Sequence, residues 1–234
     1  MSAVVMENLA IVARRLNDLG LNDVVFVGGA TIGLLLTDEA APKVRSTLDV
    51  DVVTPTATRS AYYALEAKLR AAGFEQPFGE GIPICRWLIE GVPVDIMPVD
   101  EALLGFSNRW YRPLVEHALP MELPTGETIR VASAPYIVAT KLEAFNGRGR
   151  GDHRMSHDLE DIIVLLDGRP ELGAEIASAP NDARDFIAQT FGALLRNPEF
   201  VDAIPGYLDP DEASQAREPL IRERMERIRD SQHG

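Results

Sequence analysis

The sequence predicts an α/β fold, a small mixed-sheet domain followed by an all-helical C-terminal domain. Three observations predict it. A short apolar run at residues 24–27 ends in Gly28-Gly29 and opens a helical pattern. Strand-length apolar runs separated by turn signals continue to about residue 132. From Ala134 onward strand signals stop and helical spacing takes over. The expected domains are therefore 1–132 and 133–234.

The elements follow in order. Residues 5–19 carry Leu9, Ile11, Val12 and Leu16 at helical spacing and end at Gly20, which predicts a helix. A strand over 24–27, a helix over 29–37 and a strand over 48–53 come next. Thr56 or Thr58 caps a helix over 59–71, and Gly73 stops it. Residues 82–89 and 92–97 are apolar around Glu90-Gly91, which predicts a hairpin. Asp95 then lies on a strand able to sit beside the one that carries Asp49 and Asp51. Residues 118–123 and 127–132 flank Pro124-Thr125-Gly126 as a second hairpin. Helices are expected over 134–146, 156–167, 170–178, 182–196 and 211–230. The last carries Arg222, Glu223, Arg224, Glu226, Arg227 and Arg229, is charged on most faces, and reads as a solvated helix or, in the other reading, a partner-binding one. No internal repeat is evident.

Composition narrows the class. The 234 residues are 46% hydrophobic and 25% charged, enough for a sizeable core in one or two domains. No apolar run approaches the ~18–20 residues of a membrane helix. The start of the chain, with Glu7 and Asp18, lacks the pattern of a signal peptide, and a single cysteine, Cys85, allows no internal disulfide. A cytoplasmic protein without a membrane partner is the expectation. Cys85, in a strand-like run, reads as core filler; His and Cys are too few and scattered for a zinc site. The formal net charge of −13 disfavours broad nonspecific nucleic-acid binding. A local patch can outweigh that total, and Arg148, Arg150, His153 and Arg154 form one; its plainer reading is a solvated loop.

The chemistry concentrates between residues 26 and 53. Strand side chains alternate, so Asp49 and Asp51 share a face on a strand whose Leu48, Val50, Val52 and Val53 read as buried. Like charges at the edge of a core repel unless a cation sits between them. A divalent metal answers this, since Mg²⁺ takes oxygen ligands from one or two carboxylates plus phosphates. Gly28 and Gly29 have no Cβ, so backbone N–H groups there approach a ligand closely, and the start of the next helix favours an anion. A phosphate site beside a metal site suggests nucleoside-triphosphate chemistry. Taken singly, a Gly-Gly also serves tight turning and an Asp-x-Asp is often solvated. The order of the parts is more specific than either.

Gly28-Gly29 followed by Arg45-x-Thr47-x-Asp49-x-Asp51 resembles the first motif of the polymerase-β-like nucleotidyltransferases. The likeness is nearest to the branch holding AbiEii-type and MenT-type toxins of toxin–antitoxin systems. The superfamily usually has Gly-Ser where this chain has Gly28-Gly29. Residues 91–97 resemble the strand bearing the third carboxylate, Asp95, and residues 139–145 the helix bearing the branch's lysine, Lys141. His157-Asp158-Leu-Glu-Asp161-Ile-Ile resembles an Arg/Lys-Asp-x-x-Asp-hydrophobic helix, with His157 in place of the usual basic residue. The likeness covers about residues 20–168.

The resemblance implies a Mg²⁺-dependent nucleotidyltransferase, with Mn²⁺ able to stand in, acting on an NTP. Asp49, Asp51 and Asp95 are the implied metal ligands and, with Lys141, the catalytic set. Asp95 would complete a second metal position or accept the acceptor's proton. Gly28, Gly29 and the Thr31 hydroxyl would hold the triphosphate, and Lys141 would bring positive charge to it. Arg45 would contact a phosphate or pair with an Asp, and Thr47 would brace the strand turn. Asp158 and Asp161 share a helix face; one would orient Lys141 or contact the nucleotide, the other would pair with Arg148 or Arg154. Trp87, Trp110 and Tyr111 read as core rather than as a base-stacking platform. The implied acceptor is the 3′ end of tRNA, held through Arg148, Arg150 and Arg154, or a protein hydroxyl, and the implied role is that of a toxin with a cognate antitoxin. Two other classes stay open: a small-molecule, antibiotic-type nucleotidyltransferase, and a non-catalytic nucleotide-binding module, against which the set of three carboxylates argues.

Overall fold

A computed structural model of the chain describes residues 2–38, 40, 44–105, 108–148 and 151–231, the side chains of Glu101 and Arg148 aside. Its packing divides into two compact units, Met1–Thr31 with Arg45–Ser133 and Ile32–Val44 with Ala134–Gly234.

The first unit opens with helix α1 (Ala3–Asp18), whose start is capped by the Ser2 hydroxyl accepting from the Val5 amide at 3.3 Å. Its Leu9, Val12, Ala13 and Leu16 are buried at helical spacing, and Gly20 follows with φ +68°. Strand β1 (Val25–Val27) leads through Gly28 into α2 (Gly29–Leu35), which leaves the first unit at Ile32. Strand β2 (Val50–Thr54) begins two residues later than the apolar pattern predicts. Leu48 is correspondingly 69% exposed rather than buried, and Asp49 stands on the approach to the strand, not in it. Thr58, not Thr56, caps α3 (Arg59–Ala71), accepting from the Ala61 amide; Thr56 bonds Thr54 instead.

Strands β3 (Arg86–Ile89) and β4 (Val92–Pro98) form the predicted hairpin. Its turn residues Glu90 and Gly91 both have positive φ, +51° and +81°, as a two-residue type I′ turn requires. Residues 82–85 are irregular chain and turn rather than strand: Pro83 has no amide for a ladder, and its carbonyl accepts from the Arg86 amide. Two short helices absent from the sequence reading, α4 (Glu101–Leu104) and α5 (Tyr111–Glu116), precede the second hairpin, β5 (Leu119–Glu122) and β6 (Thr128–Val131). The six strands make one mixed sheet in the order β3-β4-β2-β1-β6-β5. β2 runs parallel to β4 and antiparallel to β1; β6 runs parallel to β1. Val25, Phe26, Val50, Val52, Trp87, Val94 and Ile96 fill its core.

The second unit is helical, as the loss of strand signals after residue 133 predicts. α6 (Ala134–Arg148) is buried on nearly every face over its first turns, the mark of a central helix. It packs with α7 (His157–Gly168), α8 (Leu172–Ser178) and α9 (Asn181–Leu195). α10 (Pro198–Ala203) and a 3₁₀ turn (Ile204–Tyr207) follow. The helix expected over 211–230 is two, α11 (Glu212–Gln215) and α12 (Glu218–Asp230). Pro219 breaks it, since proline is tolerated in a first turn but not in an interior. α12 is not merely solvated. Ile221, Met225 and Ile228 form a buried stripe packed against α9, each worth roughly 1.5–3 kcal/mol of apolar burial. No described helix is long and apolar enough to cross a membrane.

Candidate active site

The sheet unit brings four of the predicted residues, Gly28, Gly29, Thr31 and Asp51, to the C-terminal end of β1 and the adjoining start of β2. Gly28 has φ +74°, a conformation glycine adopts without penalty. A second constraint is steric: a Cβ built there would lie 2.0 Å from Oδ2 of Asp51. Asp51 pairs with Val27 across the β1–β2 ladder, so its carboxylate folds back over the glycine. Gly29 is buried and opens α2. The Thr31 hydroxyl is fully buried and donates to the Gly28 carbonyl at 2.9 Å, so it fastens the turn from within.

Asp95 stands directly opposite Asp51 on the parallel β2–β4 ladder. Across the other edge of β4, Asp95 faces Arg86 of β3. The guanidinium forks onto Asp95, with Nε donating to Oδ1 and Nη2 to Oδ2, both at 2.8 Å. The same Nη2 donates to Oδ2 of Asp49, also at 2.8 Å. The remaining oxygen of Asp49, Oδ1, accepts from the buried Thr47 hydroxyl at 2.6 Å. Arg45, which begins this segment, is half-buried.

The electrostatics follow. Partial burial pushes the Asp49 carboxyl upward, but the Thr47 hydrogen bond and the Arg86 charge outweigh it and hold it below the ordinary aspartate value. Hydrogen bonding to Asp95 raises Arg86, already a permanent cation. Cys85, buried as core, has its thiol pushed up to about 12 by burial and then by the charge of Asp95, so it stays protonated and inert.

The helical unit holds the other predicted group. Lys141 of α6 is 9% exposed, and its ammonium lies 2.6 Å from Oδ2 of Asp161 and 3.2 Å from Oδ1 of Asp158, both on α7. Asp158 and Asp161 therefore both face Lys141; the expected pairing of one of them with Arg148 falls on a side chain outside the described residues. His157 is exposed and meets Glu160. Arg154 is exposed in the segment before α7, Arg150 lies outside the described residues, and so does the side chain of Arg148. Trp87 and Trp110 are buried core, as expected, and Tyr111 is half-buried with its hydroxyl on Met97.

Arg86 is the residue the sequence reading missed. The signal was present. A two-residue turn at Glu90-Gly91 fixes the register of the hairpin and puts residue 86 opposite residue 95.

The carboxylates suit a hard divalent cation in chemistry, since all their donors are oxygen. They also suit it in placement, because Asp49 and Asp95 already converge on a single cationic nitrogen. Among the described residues no three His, Cys, Asp or Glu side chains form a ready cage, and the guanidinium takes the central place instead.

No family model matches the chain, and no curated protein matches it significantly. Solved structures do. The crystal structure of a "putative nucleotidyltransferase" from H. pylori matches with a TM-score of 0.52 at 13% identity, covering 98% of this chain and 96% of that one. JHP933 from Helicobacter pylori matches with a TM-score of 0.50 at 11% identity, covering 98% and 94%. At such identities the likeness is one of fold. The mixed six-stranded sheet and the helices that follow it thus have their like, as a fold, in both of these structures over nearly the whole of each chain.

Proposed function

We propose that the protein is a Mg²⁺-dependent nucleotidyltransferase of the AbiEii/MenT-like kind. It moves a nucleotide from an NTP to a macromolecular acceptor, the 3′ end of tRNA or a protein hydroxyl, as the toxin of a toxin–antitoxin pair. The single observation that carries the catalytic part is the convergence of Asp49 and Asp95 on one cation, with Asp51 in register beside Asp95 and folded over the Gly28 turn. The nucleotidyltransferase-like fold and the sequence motifs support the same reading. The acceptor and the toxin role rest on the resemblance of the motifs.

In such a transfer an acceptor hydroxyl oxygen forms a bond to the α-phosphorus in line with the bond that breaks, and pyrophosphate leaves with the electron pair of its bridging oxygen. The divalent cation, when bound, supplies charge to the attacking and leaving oxygens. Asp49, Asp51 and Asp95 are the residues that would hold it. Thr47 fixes the Asp49 carboxylate through Oδ1 and leaves Oδ2 turned to the cation position. Asp95, whose two oxygens both accept from Arg86, would complete the metal position or take the acceptor's proton once that pair opens. Gly28 lets Asp51 lie against the backbone, and Thr31 holds that turn. Lys141 is positioned by Asp158 and Asp161 within the helical unit; a role for its charge toward the nucleotide rests on the resemblance of the motifs alone.

The test incubates the protein with Mg²⁺, each NTP labelled in turn at the α-phosphate, and total tRNA or protein extract. Label should enter tRNA or protein from at least one NTP, and the same NTP labelled at the γ-phosphate should give none. Label in a small molecule would overturn the acceptor. No label in any acceptor from any NTP would overturn the activity.

A further inference from the structure

The three carboxylates explain why a cation belongs between the start of β2 and the middle of β4, but a cation of the chain's own is already there. Arg86 reaches Asp95 through two parallel hydrogen bonds and Asp49 through a third, all at 2.8 Å. With the Thr47 hydroxyl on the fourth position, every oxygen of Asp49 and Asp95 accepts a hydrogen bond. This is an engaged ion pair rather than a passing one: Asp95 is 12% exposed, and a forked guanidinium–carboxylate pair is the strong, directional form of the interaction. The guanidinium cannot lose its charge to make way. It can only move, and Arg86 retains that freedom because its side chain is 26% exposed.

We propose that Arg86 is the resident counter-cation of this cluster and competes with the divalent cation for Asp49 and Asp95, so that it sets the metal affinity of the site. The proposal rests on the nucleotidyltransferase reading above. Two like charges cannot share the space between the same two carboxylates without strong repulsion, whereas a neutral side chain at position 86 would leave both carboxylates to the metal. A unit charge removed at about 4 Å from a partly exposed site is worth tenfold or more in a cation's affinity. Arg86 is thus a positioning residue with two effects. It holds Asp49 and Asp95 together before metal arrives, and it raises the metal concentration at which they give way.

The test is Mg²⁺ binding by titration calorimetry on the full chain. Arg86→Gln should bind Mg²⁺ at least about tenfold more tightly than wild type, and the difference should vanish when Asp95→Asn is added to both. The second measurement needs no variant. In wild type the Arg86 Nε–H resonance should shift as Mg²⁺ saturates, because its bond to Asp95 breaks; this decides the matter even if Arg86→Gln fails to fold. Equal affinities, or an Nε–H signal unmoved while Mg²⁺ binds, would overturn the proposal and leave the metal reading intact. No Mg²⁺ binding by wild type or Arg86→Gln would overturn the metal reading, and this proposal with it.

Discussion

Replacing Gly28 by alanine tests whether that glycine exists to seat Asp51. Two costs are readable from the structure. The backbone sits at φ +74°, where an L-residue loses about 1–2 kcal/mol. The new methyl would also stand 2.0 Å from Oδ2, 2.8 Å from Cγ and 3.0 Å from Cβ of Asp51. Ordinary contact needs about 3.5 Å, so the carboxylate must swing away. Such overpacking costs roughly 1–3 kcal/mol. The expected loss is therefore about 3 kcal/mol in wild type, but only about 1–2 kcal/mol in an Asp51→Ala background, where the carboxylate is gone. Urea unfolding followed by tryptophan emission measures both, because the chain's two tryptophans, Trp87 and Trp110, are buried in the sheet unit and report on it alone. A coupling of about 1 kcal/mol or more is expected between positions 28 and 51. Additive losses, within the ~0.3–0.5 kcal/mol seen for independent sites, would refute it.

Three further outcomes are expected. Lys141→Met should destabilise the helical unit by about 3 kcal/mol or more, since it takes the ammonium from the buried Asp161 and the half-buried Asp158; a thermal melt by circular dichroism matching wild type would count against the cluster. The Asp49 carboxyl lies below its usual 3.8 in the folded protein, so its contribution to stability is present above the unfolded value and is lost as pH falls through the folded one. Urea midpoints measured from about pH 5 down to pH 2 should consequently fall less steeply in Asp49→Asn than in wild type, and parallel acid limbs would contradict the assignment. Neutralising Arg148, Arg150 and Arg154 together should flatten the salt dependence of tRNA binding by up to about three units of slope while NTP affinity holds, and identical slopes would remove that segment from acceptor binding.

What could be read from the sequence was what local chemistry decides. Gly28-Gly29 after an apolar run, the Glu90-Gly91 turn and the change of periodicity after residue 133 each act through neighbours in the chain, and the fold follows them. Asp95 beside the Asp51 strand was legible because a hairpin and a parallel neighbour are few in arrangement. The misreadings arise where context overrides pattern. Leu48 looks like a strand residue by type, yet β2 starts at Val50 and leaves it in solvent. Residues 82–85 are apolar enough for a strand, but Pro83 and the turn at its carbonyl forbid one. The charged look of α12 hid three apolar residues spaced for one face. Arg86 was missed because a lone arginine carries no motif; its meaning comes from register, which joins it to Asp95 across one strand pair and then to Asp49 across another chain segment.

The central claim is that the carboxylates around Asp51 carry nucleotidyl transfer. Single-turnover transfer from an α-labelled NTP, in Mg²⁺, by wild type and by Asp51→Asn tests it most directly. The account predicts transfer by wild type and a loss of about 10²-fold or more in Asp51→Asn, with unchanged circular dichroism and tryptophan emission. Transfer by Asp51→Asn at the wild-type rate would contradict it.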